Sequence, residues 1–567
     1  MSGLDAEVAA RLGAWTEERV AERLWARDGS LWAASGKAPE EVAAWLGWLD
    51  LPDAMADRVT ELEHFARDVR ADGYRRAAVL GMGGSSLAPE LFARVFGWAG
   101  GAEGSGAASP DGLELRILDS THPDVVRGFR SWASEQRTLF CVSSKSGTTT
   151  EPNAYQAAMA DVAPALDFVA ITDPGTALAE LARAQEFRAI FEGPPDVGGR
   201  YSALTVFGLV PAVLHGVDVG ALLERARSMA RACREPDAAD NPGLALGAAI
   251  GEAALAGRDK LTIISSPRLA AFGDWAEQLV AESTGKSGTG IVPVVGEPLG
   301  DLDAYGDDRY VVILRTLGDR DLEGLLDELG RRGVPGREIV VDDPLDLGAE
   351  FVRWEVATAA AGIVLGIDPF DQPNVQESKD ATMELLESYR TRGALPVAAP
   401  LVSEPGIAAT ADPGVLGDTP VSVDGAVREL LAGVEGGRDY VAILAYLPPD
   451  RDVEARLQRV RARIRDATGA ATTLGFGPRF LHSTGQLHKG GPDTGVFLQL
   501  TADPSRDLPI PGWEESFGTL IAAQALGDLA SLQRRGRRAL RLHFNDLDDG
   551  LRRLEAMVDA ALTRSIS

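Results

Sequence analysis

The chain predicts an α/β fold of two doubly wound parallel sheets, preceded by a helical segment and followed by a small α/β module. Three observations carry this. From Ala77 onward, short apolar runs alternate with helix-like stretches, the pattern of βαβ units and parallel sheets. The alternation restarts after a helical stretch near residues 241–258. A chain of 567 residues is also too long for one hydrophobic core.

Residues 1–75 read as helices, with apolar positions three and four apart (Val20 and Leu24; Val42, Trp45 and Leu46). The strands of a first domain, 76–240, are AAVLG, LRILDS, TLFCVSS, LDFVAITD and FRAIFEG. Those of a second, 241–395, are KLTIISS, IVPVVGE, YVVILRT and REIVVDD, followed by a helix over about 349–365. The Gly/Ala/Ser segment 99–112 reads as a surface loop. Residues 396–425, rich in Pro, Ala, Asp and Gly, read as a linker. From about 426 to 567 a third unit offers the strands YVAILAYL and VFLQLTA, a basic helix and a Gly-rich loop between them.

Composition narrows the function classes. A net charge of −28 opposes nucleic-acid binding, which rests on neutralising phosphates with Lys and Arg. No run of about 18 apolar residues predicts a membrane span. The acidic, amphipathic N-terminus lacks a secretory pattern. Two cysteines, Cys141 and Cys233, make no disulfide framework. A cytoplasmic location is therefore expected. The six histidines form no HxH or HExxH pattern, so neither metal nor cofactor is expected. Only six of the 56 basic residues are lysines, which makes each one a pointer where a compact ammonium is needed.

Two loops carry phosphate-binding chemistry. AAVLG runs into Gly81-Met82-Gly83-Gly84-Ser85-Ser86, where glycines permit close backbone approach and a following helix start offers free N–H groups. TLFCV ends in Ser143-Ser144-Lys145-Ser146-Gly147-Thr148-Thr149-Thr150, six hydroxyls and one lysine within eight residues. Both loops follow strand ends, the edge at which open α/β sheets bind ligands. This suits a phosphate monoester, and the run lacks the GxxxxGK[ST] pattern of a nucleoside-triphosphate loop.

Three further segments bear reacting groups. Gly199-Arg200 offers a guanidinium beside flexible glycines, suited to stabilising an oxyanion. Gln278 and Glu282 are four apart and share a helix face; Glu282 is suited to be a general base. Gln372 precedes Pro373, which suits a helix start and puts Lys379 about two turns in.

Taken jointly, GMGGSS, SSKSGTTTE, GGRYS, the Gln278–Glu282 pair with STGK, and FDQPNVQESK resemble the sugar isomerase (SIS) domains of the glucose-6-phosphate isomerase family. The resemblance covers about residues 76–385. It implies a small-molecule sugar phosphate held by Gly84, Ser85, Ser144, Lys145, Ser146 and Thr149. It implies Gly199, Gln278 and Gln372 as substrate contacts, Arg200 as charge stabiliser, Glu282 as base and Lys379 in ring opening. It also implies a homodimer. A mannose-phosphate isomerase would share this chemistry, and a phosphosugar-sensing SIS protein would share the Ser/Thr/Lys loop without Glu282, Arg200 and Lys379 together.

One element of the family pattern is missing. The stretch after the base, Gly296–Asp308, holds no histidine for ring opening, and none occurs between His215 and His482. Asp303 and Tyr305 lie nearest in sequence. The alternative is the C-terminal loop with His482, His488 and Lys489, folded over the site as an appended source of an acid.

Overall fold

A computed structural model describes residues 3–97, 111–396, 398–412, 414–416 and 420–563. The expected loop at 99–112 lies, up to residue 110, outside them. Helices occupy much of Gly3–Ala71, and their apolar faces join the core beneath the sheets. Trp15, Trp32 and Trp48 are each no more than 2% exposed, and the Trp32 indole donates to the Ala359 carbonyl at 2.9 Å. Burying each such ring contributes on the order of 2–3 kcal/mol.

The first sheet comprises β1 (Arg76–Leu80), β2 (Glu114–Leu118), β3 (Thr138–Ser143), β4 (Phe168–Thr172) and β5 (Ala189–Glu192). Its order is β2-β1-β3-β4-β5, all parallel. The second comprises β6 (Lys260–Ser265), β7 (Val292–Val295), β8 (Arg309–Thr316) and β9 (Gly336–Val341), ordered β7-β6-β8-β9 and also parallel. Every strand expected in these two sheets is present. In the first sheet the winding reverses between β1 and β3, and a crevice opens at their carboxyl ends. The Gly81–Ser86 and Ser144–Thr149 loops leave those two ends.

The third sheet holds more than expected. It comprises β10 (Val402–Glu404), β11 (Ile407–Ala411), β12 (Tyr440–Tyr446), β13 (Ala471–Phe476), β14 (Gly495–Ala502) and β15 (Arg538–Phe544). The order is β10-β11-β15-β14-β12-β13. Residues 396–425 are thus not simply a linker: β11 pairs antiparallel with β15 over Ile407↔Phe544 to Ala411↔Leu540. Its side chains alternate buried and half-buried, so a short strand with one apolar face covers the edge of an otherwise parallel sheet.

The third sheet reaches the first two through its connections. Helix Phe517–Arg534 lies along helix Pro373–Arg392. Gln486, on the short helix Gly485–Gly490 after β13, donates to the Gly285 carbonyl at 2.9 Å and accepts from the Asn374 backbone at 2.8 Å. Among the described residues no helix is long and apolar enough to cross a membrane.

Candidate active site

The first phosphate-type loop meets a third piece of chain at contact distance. A Cβ at Gly84 would lie 2.0 Å from the Gly199 carbonyl oxygen, so only glycine lets the first loop seat on the Gly-Gly-Arg turn. Gly84→Ala should cost about 1–3 kcal/mol through this overpacking, read as a lowered urea midpoint with a raised KM. An unchanged midpoint would mean that the two loops part freely. Beside Gly84, the Ser85 side chain is almost wholly buried and its hydroxyl makes no hydrogen bond among the described residues.

In the second loop the Ser144 hydroxyl donates to Thr149 Oγ1 at 3.0 Å, and the Ser146 and Thr148 hydroxyls lie 3.0 Å apart. Gly147 has φ +67°, and a Cβ there would meet Thr176 at 2.7 Å, so the loop can close only on glycine. Thr149 is the N-cap of helix Thr150–Ala160 but makes no side-chain capping bond. The first-turn N–H groups are left for an anion. Lys145 departs from expectation. Its Nζ donates to Asp173 Oδ2 at 2.6 Å and to the Pro194 carbonyl at 3.0 Å. Asp173 follows β4, the neighbour of β3, so the parallel sheet brings a carboxylate to the lysine and its ammonium is taken up there.

The reacting groups converge on Arg200, whose side chain is 1% exposed. Its Nη1 donates to Glu282 Oε1 at 3.1 Å and to Gln372 Oε1 at 2.8 Å. Its Nε donates to Ser283 Oγ at 2.7 Å. Its Nη2 donates to the carbonyls of Pro369 and Asp371. Lys286 grips the same turn, donating to the Asp368 and Asp371 carbonyls and to Asp371 Oδ1. Burial first, then repulsion from Arg200, brings the Lys286 ammonium down to about 8 against its carboxylate neighbours. Two cations therefore hold residues 368–371 and place Gln372 as the N-cap of helix Pro373–Arg392. Glu282 is 8% exposed, near the end of helix Ala270–Thr284. Its Oε2 accepts from Gln278 Nε2 at 3.0 Å, while Gln278 Oε1 is buried with no partner among the described residues.

The C-terminal module completes the site. Gln278 Nε2 donates to the His482 carbonyl at 2.7 Å, and His482 Nε2 lies 3.2 Å from Glu151 Oε1. Gln524 Nε2 donates to the same Glu151 oxygen at 2.7 Å, and Gln524 Oε1 accepts from Thr121 at 2.7 Å. Burial would raise the Glu151 carboxyl, but the His482 imidazole and the Lys379 ammonium outweigh it and hold the group below the usual carboxylate value. Thr148, Thr149, Glu151, Lys379, His482 and Gln524 line one cavity of about 290 Å³. A continuous set of contacts thus runs from Glu282 through Gln278, His482 and Glu151 to the helix that Thr149 caps.

Three sequence candidates are not in this set. His488 is 2% exposed, packed on Tyr440, Phe480 and Phe497; burial first, then the nearby Lys489 and Arg537 charges, hold its imidazole well below the usual value. It is a core residue. Asp303 is exposed and pairs with Arg332 at 2.9 Å. Tyr305 is 5% exposed beneath the Arg309 guanidinium. Glu151 and Gln524, in turn, are residues that sequence reasoning missed. Glu151 stands directly after the hydroxyl run and could have been found there. Gln524 carries no motif.

Asp274 and Glu277 of helix Ala270–Thr284 border a separate cavity of about 400 Å³, lined also by Glu90, Asp119, Arg461 and Arg479. Burial chiefly, with the Asp274 carboxylate, pushes Glu277 up to about 8 against the Arg461 and Arg479 charges. The folded chain then keeps a proton that the unfolded chain releases between about 4.5 and 8. Stability from this group falls as pH rises through that window. Glu277→Gln should flatten the fall of the thermal midpoint over this range and leave the variant more stable near its upper end. An unaltered pH slope would refute the assignment.

Comparison with known proteins fits this geometry. No protein-family model matches the chain. It is 30% identical to a glucose-6-phosphate isomerase of Symbiobacterium thermophilum over 403 residues, covering 61% of this chain and 87% of that one. It is 29% identical to a glucose-6-phosphate isomerase of Synechococcus sp. (strain JA-3-3Ab) over 408 residues, 60% of this chain and 73% of the relative. Among solved structures, a hypothetical protein from Thermus thermophilus superposes with a TM-score of 0.57 at 22% identity, covering 68% of this chain and 98% of that one. A glucose-6-phosphate isomerase from Chlamydia trachomatis superposes with a TM-score of 0.52 at 20% identity, covering 67% and 86%. The two structural likenesses speak for the fold, and the Symbiobacterium relative speaks for the lineage: the chain belongs to the glucose-6-phosphate isomerase family.

Proposed function

We propose that the chain interconverts glucose 6-phosphate and fructose 6-phosphate by proton transfer through a cis-enediolate. The observation that carries this reading is the contact set joining a buried Glu282, an Arg200 guanidinium and a hydroxyl-lined helix N-terminus around one crevice. The phosphate sits on Ser85, Ser144, Ser146 and Thr149 and on the first-turn N–H groups of helix Thr150–Ala160. Gly84 and Gly199 give it room, and Lys145 supports the loop through Asp173.

His482, oriented by Glu151, exchanges a proton with the sugar's ring oxygen and anomeric hydroxyl while Lys379 steadies the charge. Glu282 then takes the proton from carbon 2 of the open aldose and returns it to carbon 1. Arg200 stabilises the negative charge that grows on the enediolate oxygens, in a site too dry for water to do so. Gln278 Oε1, otherwise unpartnered, accepts a substrate hydroxyl, and Gln372 contacts the sugar beside Arg200.

The division into two SIS domains (76–240 and 241–395), an N-terminal helical segment and a C-terminal module belongs to the same reading, as do homodimer assembly and a cytoplasmic location. Turnover of fructose 6-phosphate in deuterium oxide tests the chemistry. A carboxylate base that exchanges with solvent leaves deuterium at carbon 2 of the glucose 6-phosphate formed. Product free of deuterium at every temperature would point to a hydride shift and overturn the role of Glu282.

A further inference from the structure

A third cavity, of about 390 Å³, lies between helix Pro373–Arg392, helix Phe517–Arg534 and the β11–β15 pair of the third sheet. That volume is in the range of small-molecule sites. Its floor is Arg541 on β15, paired in register with Thr410 of β11. Arg541 is 8% exposed. Its Nε donates to Thr501 Oγ1 at 3.2 Å, and among the described residues neither of its Nη groups has a hydrogen bond or an ion pair. Burial lowers its pKa with no charge partner to offset the effect. An uncompensated buried guanidinium is costly, unless something outside the chain pairs with it.

The rest of the lining fits an anion. Ser388 presents a buried hydroxyl oxygen with no partner among the described residues. Arg392 and Arg534 stand exposed around the cavity, and among the described residues Glu384 is the single carboxylate in its walls. Three arginines against one acid is a local reversal in a chain of net charge −28. The remaining walls are mostly leucine and alanine side chains of the two helices and a short stretch after the first.

We propose that this cavity binds an organic phosphate monoester, its phosphate on the Arg541 fork and its apolar body between the helices. Guanidinium forks match phosphate oxygens in bidentate geometry, and three of them supply more charge than a monocarboxylate requires. The site is distinct from the crevice that holds Glu282, although its two helices also carry Lys379 and Gln524.

Calorimetric titration of the full chain with phenyl phosphate tests the proposal, with benzoate as the carboxylate counterpart. Arg541→Gln should remove one phenyl phosphate site per chain. Arg392→Gln, at an exposed position, should weaken the same site about tenfold. Benzoate should bind that site at least tenfold more weakly than phenyl phosphate. Equal stoichiometry and affinity in the unaltered protein and both variants would overturn the site. Benzoate binding as tightly as phenyl phosphate would overturn the ligand class. Because the comparison rests on Arg541 and Arg392, neither of which lines the crevice, its outcome is independent of the role assigned to Glu282.

Discussion

Glu282→Gln is expected to lower kcat for fructose 6-phosphate by about 10²–10⁴-fold, the usual contribution of a positioned general base. KM should change by only a few-fold, because the phosphate contacts lie on the first sheet's loops and not on helix Ala270–Thr284. The substitution also removes the carboxylate that pairs with Arg200, whose side chain is 1% exposed. Breaking a buried pair from one side commonly costs about 3–5 kcal/mol. The carbonyls of Pro369 and Asp371 remain on the guanidinium and reduce that cost. Glu282→Asp separates the two effects: it keeps the charge beside Arg200 while drawing the base back from carbon 2. Its thermal midpoint should stay closer to that of the unaltered chain than Glu282→Gln does, and its kcat should still fall by at least tenfold. Should both variants turn over within about fivefold of the unaltered chain, proton abstraction belongs to another group.

Much of this site was legible because its chemistry is local in sequence. The hydroxyl run Ser143–Thr150, the Gln278–Glu282 spacing and Pro373 ahead of Lys379 each sit on one element, and the periodicity that places them is the periodicity that folds them. What stayed hidden is contact across the fold. Lys145 reads as a phosphate ligand until β4 brings Asp173 within 2.6 Å of it. Glu151 and Gln524 are separated by 373 positions, and no pattern links a glutamine on helix Phe517–Arg534 to a carboxylate on helix Thr150–Ala160. The strands β10 and β11 are hidden for another reason. Their segment is rich in Pro, Gly, Ala and Asp, and a short edge strand needs few apolar residues. His482 and His488 look alike in sequence because the six-residue spacing between them does not say which faces the crevice. In the structure one reaches Glu151, and the other fills space among aromatic rings.

That contrast gives the second large effect. His482→Ala is expected to lower kcat for glucose 6-phosphate by about 10²-fold, near the lower end of acid–base contributions, since a sugar ring also opens slowly on its own. Glu151 would remain hydrogen-bonded to Gln524, so the fold should survive and KM should stay near its original value. His488→Ala should do the reverse. Removing a ring packed on Tyr440, Phe480 and Phe497 leaves a cavity worth on the order of 2–4 kcal/mol, with kcat within about threefold of the unaltered chain. Should His482→Ala retain full turnover, the C-terminal module covers the crevice without taking part in its chemistry. Should it lose turnover while His488→Ala keeps it, the module is the source of the group that the stretch after Glu282 does not provide, and it comes from the same chain that carries the base.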